Sequence, residues 1–129
     1  MADAEIVLYT AGGLQQTIVE DNPDLKSLGD FVAADCRIGE WVTYSQTDYN
    51  PDGTAAPSQV LTQGSGKVTL KFSAASARKV HTFGHEGVTV YQRYNYGGKS
   101  KQILEEKPSI QIGGETSMII SGGHWEVFT

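Results

Sequence analysis

Apolar and polar residues alternate at every second position over Glu5 to Tyr9, Gln15 to Glu20, Ala34 to Ile38, Trp41 to Ser45, Ser58 to Thr62 and Lys67 to Phe72. That period places one side of an extended segment against a core and the other in water, and so predicts strands. Ser76 to Thr82 repeats the pattern more weakly, and Val88 to Gln92, Lys101 to Leu104, Ile110 to Ile112, Ser117 to Ser121 and Trp125 to Phe128 continue it. Turn formers punctuate the series: Gly12-Gly13, D-N-P-D at 21–24, Gly39, the loop S-Q-T-D-Y-N-P-D-G-T at 45–54, and F-G-H-E-G at 83–87, which reads as a linker. Q-G-S-G at 63–66 is expected to close a hairpin between its flanking strands. Asp24 to Val32 has room for one helical turn, broken at Gly29. Short strands at regular spacing, with no strand–helix alternation, predict an all-β antiparallel Greek-key β-sandwich.

The pattern also repeats. Val88 to Phe128 is the fuller copy of residues 6 to 44, with Tyr9 matching Tyr91, Pro23 matching Pro108, Trp41 matching Trp125 and Tyr44 matching Phe128. The offsets are 82, 85, 84 and 84, so the anchors recur in order at nearly constant spacing, as in an internal duplication.

Composition narrows the function. The 129 residues include 15 glycines, a turn-dense β composition, and a chain of this length buries a core without staples. A net charge of −5 with scattered Lys and Arg argues against a nucleic-acid partner, because phosphate binding needs a clustered basic surface. Cys36 is the only cysteine, which excludes an intrachain disulfide, and its alternating strand points it into the core. No run approaches the roughly 20 apolar residues of a membrane span. The opening M-A-D-A-E has neither basic region nor apolar signal core. A reducing cytoplasm is therefore the expected compartment, with secretion after removal of a leader left open.

Three segments resemble a known family. Y-Q-R-Y-N-Y-G-G at 91–98 fits the aromatic–glycine signature of βγ-crystallin Greek keys of the microbial or invertebrate type, through Tyr91, Tyr96 and Gly98. T-S-M-I-I-S-G-G-H-W-E-V-F at 116–128 is similar to that family's closing strand, and G-E-W-V-T-Y-S-Q-T-D-Y at 39–49 to the start of another motif, with Tyr44 and Tyr49 as its aromatics. In the signature, glycine permits positive φ in a folded-over hairpin that the aromatics cover. Two departures stand out: Pro51 occupies the glycine place of the middle motif, so its turn must differ, and the first motif lacks its second aromatic. The resemblance implies a two-motif domain over residues 1–81, a linker at 82–87, and a third motif over 88–129 that packs on its own domain or on another chain. The rival arrangement pairs 5–44 with 88–128 and makes 50–81 an insertion. Since an apolar face gains about 25 cal/mol per Å² on burial, a homo-oligomer through residues 88–129 is expected.

The same resemblance implies calcium, held in such proteins by a loop of two Asn/Asp, two variable residues and Ser/Thr-Ser. Here Thr116 and Ser117 take the hydroxyl positions, but Ile112 and Gly113 stand where the acids belong, and Asp30 and Glu115 lie off register. With few carboxylates, the expectation is no cofactor or weak Ca²⁺ at best, with Glu115, Thr116, Ser117 and Asp30 the residues nearest to ligands. His81, His85 and His124 do not have a helical metal spacing, and Gly97-Gly98-Lys99-Ser100 lacks the upstream glycine and following helix of a phosphate loop. Glu20-Asp21 and Glu105-Glu106 read as solvated turn acids, and no Gly-x-Ser-x-Gly is present. The function expected is therefore a non-enzymatic structural or stress-protective protein. Its alternatives are a partner-binding module, as in toxins and protease inhibitors of this fold, marked by an exposed apolar or aromatic loop at 44–54, and a calcium-dependent adhesion or sensing domain.

Overall fold

The computed structural model describes residues 4–51, 57–80, 87–92, 94–104 and 117–121. Their strands are β1 (Glu5–Thr10), β2 (Gln15–Ile18), β3 (Phe31–Ile38), β4 (Glu40–Tyr44), β5 (Ser58–Thr62), β6 (Lys67–Ala74), β7 (Ser76–Lys79), β8 (Val88–Tyr91), β9 (Ser100–Ile103) and β10 (Ser117–Ile120). Every pairing is antiparallel, in three sheets ordered β2-β1-β3-β6, β5-β4-β7 and β10-β8-β9. The all-β antiparallel Greek-key expectation holds. The strands predicted at Ile110–Ile112 and Trp125–Phe128 lie outside the described residues, as do the 83–86 part of the linker, Pro108, and all three histidines.

One connection corrects the sequence reading. The turn at 63–66 is built as expected, with Gly64 and Gly66 at φ of 90° and 75°, but it does not close a hairpin. β5 pairs with β4 in the second sheet, whereas β6 crosses to the first and pairs with β3. The reason is side-chain parity: Val68, Leu70 and Ala74 of β6 carry apolar surface to the same core as Phe31 and Ala34 of β3. A return crossing complements it. Asn22 and Ala77 exchange backbone hydrogen bonds of 2.8 and 3.0 Å, and the Leu25 amide donates to Ala75 at 2.8 Å, so residues 22–25 line the outer edge of β7. The helical turn expected nearby is a single turn in which the Leu28 and Gly29 amides both donate to Leu25, ending at the glycine as predicted.

The first two sheets face one another across a core of Ile6, Leu8, Leu25, Phe31, Ala34, Cys36, Trp41, Leu61, Leu70 and Ala77. β4 is buried on both faces, which explains why E-W-V-T-Y shows so little exposure. Trp41 joins that core and donates its indole N–H to Ile38 at 3.3 Å. Val42 and Tyr44 point the other way, into a second cluster with Val80, Tyr49, Val60, Tyr96 and Ile119. The third sheet, β10-β8-β9, thus covers the back of the second.

Candidate functional site

The third sheet meets the second through two turns of the same design. After β4 the chain makes a 3₁₀ turn at Thr47–Tyr49, and after β8 another at Tyr94–Tyr96. Both run through left-handed backbone, at Asp48 and Tyr49 (φ 57° and 62°) and at Asn95 and Tyr96 (φ 54° and 60°). Such conformations cost non-glycine residues energy and persist only where surroundings over-determine them. Here a serine does so in each: the Tyr49 amide donates to Ser76 Oγ at 3.1 Å, and the Tyr96 amide to Ser117 Oγ at 2.8 Å. Ser76 lies opposite Tyr44 on β7, as Ser117 lies opposite Tyr91 on β10. The aromatic rings then close over their turns edge to face, Tyr44 on Tyr49 at 5.7 Å and Tyr91 on Tyr96 at 5.5 Å.

The expected change at Pro51 takes a specific form. The third positive φ of that turn moves to Asn50, at 50°, whereas the other turn uses Gly98, at 72°. Asn50 is fully buried, accepting from the Gln46 amide at 3.0 Å and donating to the Pro57 carbonyl at 3.2 Å. The two turns touch: the Gly98 amide donates to Tyr49 O at 2.9 Å, and a Cβ on Gly97 would lie 2.6 Å from Asn50 O.

Between the two tyrosine pairs sits Arg78 of β7, 7% exposed. Its Nε donates to the Tyr44 hydroxyl at 2.9 Å and its Nη2 to the Tyr96 carbonyl at 2.8 Å. The Tyr44 hydroxyl also donates to that carbonyl. The guanidinium carbon lies 5.3, 4.7 and 5.0 Å from the ring centres of Tyr44, Tyr49 and Tyr91. No carboxylate among the described residues pairs with it. A buried guanidinium is tolerable only when its fork is hydrogen-bonded and its faces meet polarisable surface, and the rings and carbonyl supply both. Burial pushes the Tyr44 and Tyr91 phenols well above their usual range, with Arg78 pulling the other way in both. The Tyr91 hydroxyl is buried and has no hydrogen-bond partner among the described residues.

Of the residues singled out for calcium, Asp30 and Ser117 are described, and they lie in different sheets with different partners. Asp30, exposed at the entry to β3, accepts from the Ser73 hydroxyl of β6, and Ser117 locks the Tyr96 turn on the third sheet. Glu115 and Thr116 lie outside the described residues. Among the described residues no three His, Cys, Asp or Glu side chains cluster as metal ligands would. Glu20 and Asp21 do more than face solvent: the Asp21 carboxylate accepts from the Lys79 amide at 2.9 Å and Glu20 from its Nζ at 3.2 Å, closing the edge of β7. Cys36 is buried as expected, donates to Gly39 O at 3.2 Å, and has its thiol raised to about 12 by burial first and by Asp35 and Glu40 second. Arg78 was not singled out by sequence reasoning; its signal was a charge at the same parity as Ser76 and Val80, which face inward.

No helix among the described residues is long and apolar enough to cross a membrane. No family model matches the sequence, and no curated protein matches it. A solved structure does: Geodin, a βγ-crystallin from Geodia cydonium, is similar at 32% identity and a TM-score of 0.82, over 95% of this chain and 74% of that one. With that identity, that coverage, and the aromatic turns in place, the chain belongs to the βγ-crystallin family.

Proposed function

We propose that this chain is a non-enzymatic structural or stress-protective protein whose working property is a tightly cross-braced β scaffold, with calcium binding weak or lost. The observation that carries this reading is Arg78, a buried cation that holds two tyrosine turns together through its hydrogen bonds and ring contacts. Beside it Ser76 and Ser117 lock the two turns, and in the opposite core Cys36 is a protonated thiol. Residues 1–81 form a reciprocal two-unit domain in this reading, supported by the β6 and 22–25 crossings. The likeness of the two turn units supports repetition of one ancestral unit, the third unit being residues 88–129. The tip of the loop at 45–48 is polar and the Tyr44 and Tyr49 rings turn inward, so the exposed aromatic loop that a partner-binding module calls for is not found in its described part.

The test is a thermal melt with and without 1 mM calcium beside a calorimetric titration. A site with micromolar affinity would add roughly 4 kcal/mol of stability at about a thousandfold excess over Kd. The expected result is no micromolar isotherm and no resolvable shift of the midpoint. A clear micromolar isotherm with a matching rise in the midpoint overturns the reading in favour of calcium-dependent sensing or adhesion.

A further inference from the structure

β7 and β10 occupy equivalent places in their sheets, yet their outer edges differ. In β7 the residues pointing away from β4 are Ala77 and Lys79, and the chain satisfies them itself: Ala77 exchanges bonds with Asn22, and the Lys79 amide reaches Asp21. In β10 the Ser121 amide donates to Gly87 at 2.8 Å, which fixes the parity of the ladder. By antiparallel alternation Ser117 and Ile119 then bond to β8, and Met118 and Ile120 present their N–H and C=O outward. No hydrogen bond closes those groups among the described residues. Folded chains rarely leave such an edge unguarded; they blunt it with lysine, proline or a covering segment. Lys67 and Lys71 guard edge strand β6 and Lys101 guards edge strand β9, but S-M-I-I of β10 carries neither charge nor proline. Its side chains continue an apolar face: Met118 packs on Val88, Val90 and Ile103, while Ile120 is 52% exposed.

We propose that the outer edge of β10 is an interaction surface for a second copy of this chain, joined antiparallel across a two-fold axis at Ile119. The occupant follows from the symmetry of the edge. Its outward groups lie one residue to either side of Ile119, so two identical edges set head to tail place Met118 opposite Ile120 of the other copy, twice. Both are then hydrogen-bonded pairs, and every described outward donor meets an acceptor. Met118 and Ile120 fall on one face, which merges the two Val88–Val90–Ile103 clusters into a continuous apolar layer. The strand is uncharged, so two copies that each carry −5 bring no like charges opposite one another there. An unlike peptide has no need of that symmetry. This inference is independent of the scaffold reading: a monomer leaves that reading intact, and a calcium isotherm leaves the dimer intact.

Sedimentation equilibrium of the full chain over about 1–100 µM tests it, together with two variants. Met118→Pro removes an outward N–H and spares the bonds to β8, and Ile120→Lys puts a charge on the exposed face. The expected result is a dimer for the parent chain and at least about a tenfold weaker dimer for each variant, with unchanged circular dichroism. Should the proline variant lose its fold, Ile120→Lys decides alone. A parent chain that is monomeric at 100 µM, or a dimer that Ile120→Lys leaves unchanged, overturns the proposal.

Discussion

Replacing Arg78 by methionine, a side chain of comparable length without charge, asks whether the buried guanidinium braces the two units or burdens them. The substitution removes two hydrogen bonds from a charged donor, at 2.9 and 2.8 Å, worth about 1.5–3 kcal/mol each. It also removes three ring contacts at 4.7–5.3 Å, worth up to about 2 kcal/mol each when desolvated. Against this stands the relief of several kcal/mol of desolvation, since a buried charge replaced by an apolar group is often neutral or stabilising. Two features decide the balance. After substitution the Tyr96 carbonyl keeps the Tyr44 hydroxyl as a donor, and that hydroxyl loses its incoming bond while keeping the outgoing one, so the loss stays moderate. Three rings lie within 5.3 Å of the guanidinium, so the compensation for desolvation is full. The net expectation is a loss of about 2–4 kcal/mol, a drop in thermal midpoint of about 5–15 °C for a chain of this size. Urea unfolding followed by tryptophan fluorescence measures it, and Arg78→Lys, which keeps the charge and loses the fork, should recover less than half. A methionine variant as stable as the parent, or more so, would refute the reasoning.

Three further outcomes follow from the same geometry. Tyr91→Phe removes a buried hydroxyl that has no partner among the described residues, so it should be neutral or stabilise by up to about 1 kcal/mol in urea melts, whereas Tyr44→Phe, which breaks the bonds to Arg78 and Tyr96, should cost about 1–3 kcal/mol. Gly97→Ala places a methyl 2.6 Å from the Asn50 carbonyl and should cost about 1–3 kcal/mol by forcing the two turns apart, seen as a lower midpoint and faster exchange of the Gly98 amide. Alkaline pH should destabilise the fold. Cys36 rises from 9.0 to about 12 on folding, and Tyr44 and Tyr91 rise above 10.0, so the folded state binds more protons there than the unfolded chain. Their contribution is complete below pH 9 and is lost progressively from pH 9 upward; absorbance at 295 nm should show these two phenols ionising only together with unfolding, and a non-cooperative titration near pH 10 would contradict the burial.

Much of the fold was legible because alternation reports directly on a half-buried strand: β5 starts and ends where its pattern does, and the predicted β1, β4 and β8 fall within a residue of the observed ends. Sheet membership was not legible. Q-G-S-G makes the same local turn whether its strands pair with each other or with different neighbours, and only Val68 and Leu70 choosing the Phe31 core settles it. The aromatic–glycine spacing gave the tyrosine turns, and the mismatch at Pro51 correctly marked a different turn, yet nothing local announced that Asn50 would take the left-handed place. Arg78 stayed hidden for a related reason: a charge between Ala77 and Lys79 reads as a solvated face until a third sheet is laid over it. The duplication anchors fare unevenly. Tyr9 and Tyr91 each lie opposite a small residue, Ala33 or Ser117, but Lys67 rather than Arg78 stands over Tyr9 and no second tyrosine among the described residues closes on it, while Trp125 and Phe128 lie outside the described residues.

The energy linking Arg78 of the second sheet to Tyr91 of the third tests the bracing most directly. A double-mutant cycle of Arg78→Met and Tyr91→Leu, read by equilibrium unfolding, isolates it across the boundary between units. If the guanidinium binds the third sheet through that ring at 5.0 Å, the coupling should be about 0.5–2 kcal/mol in favour of the parent pair. Losses that simply add, to within about 0.3–0.5 kcal/mol, would show that Arg78 and the third sheet are neighbours without being fastened together.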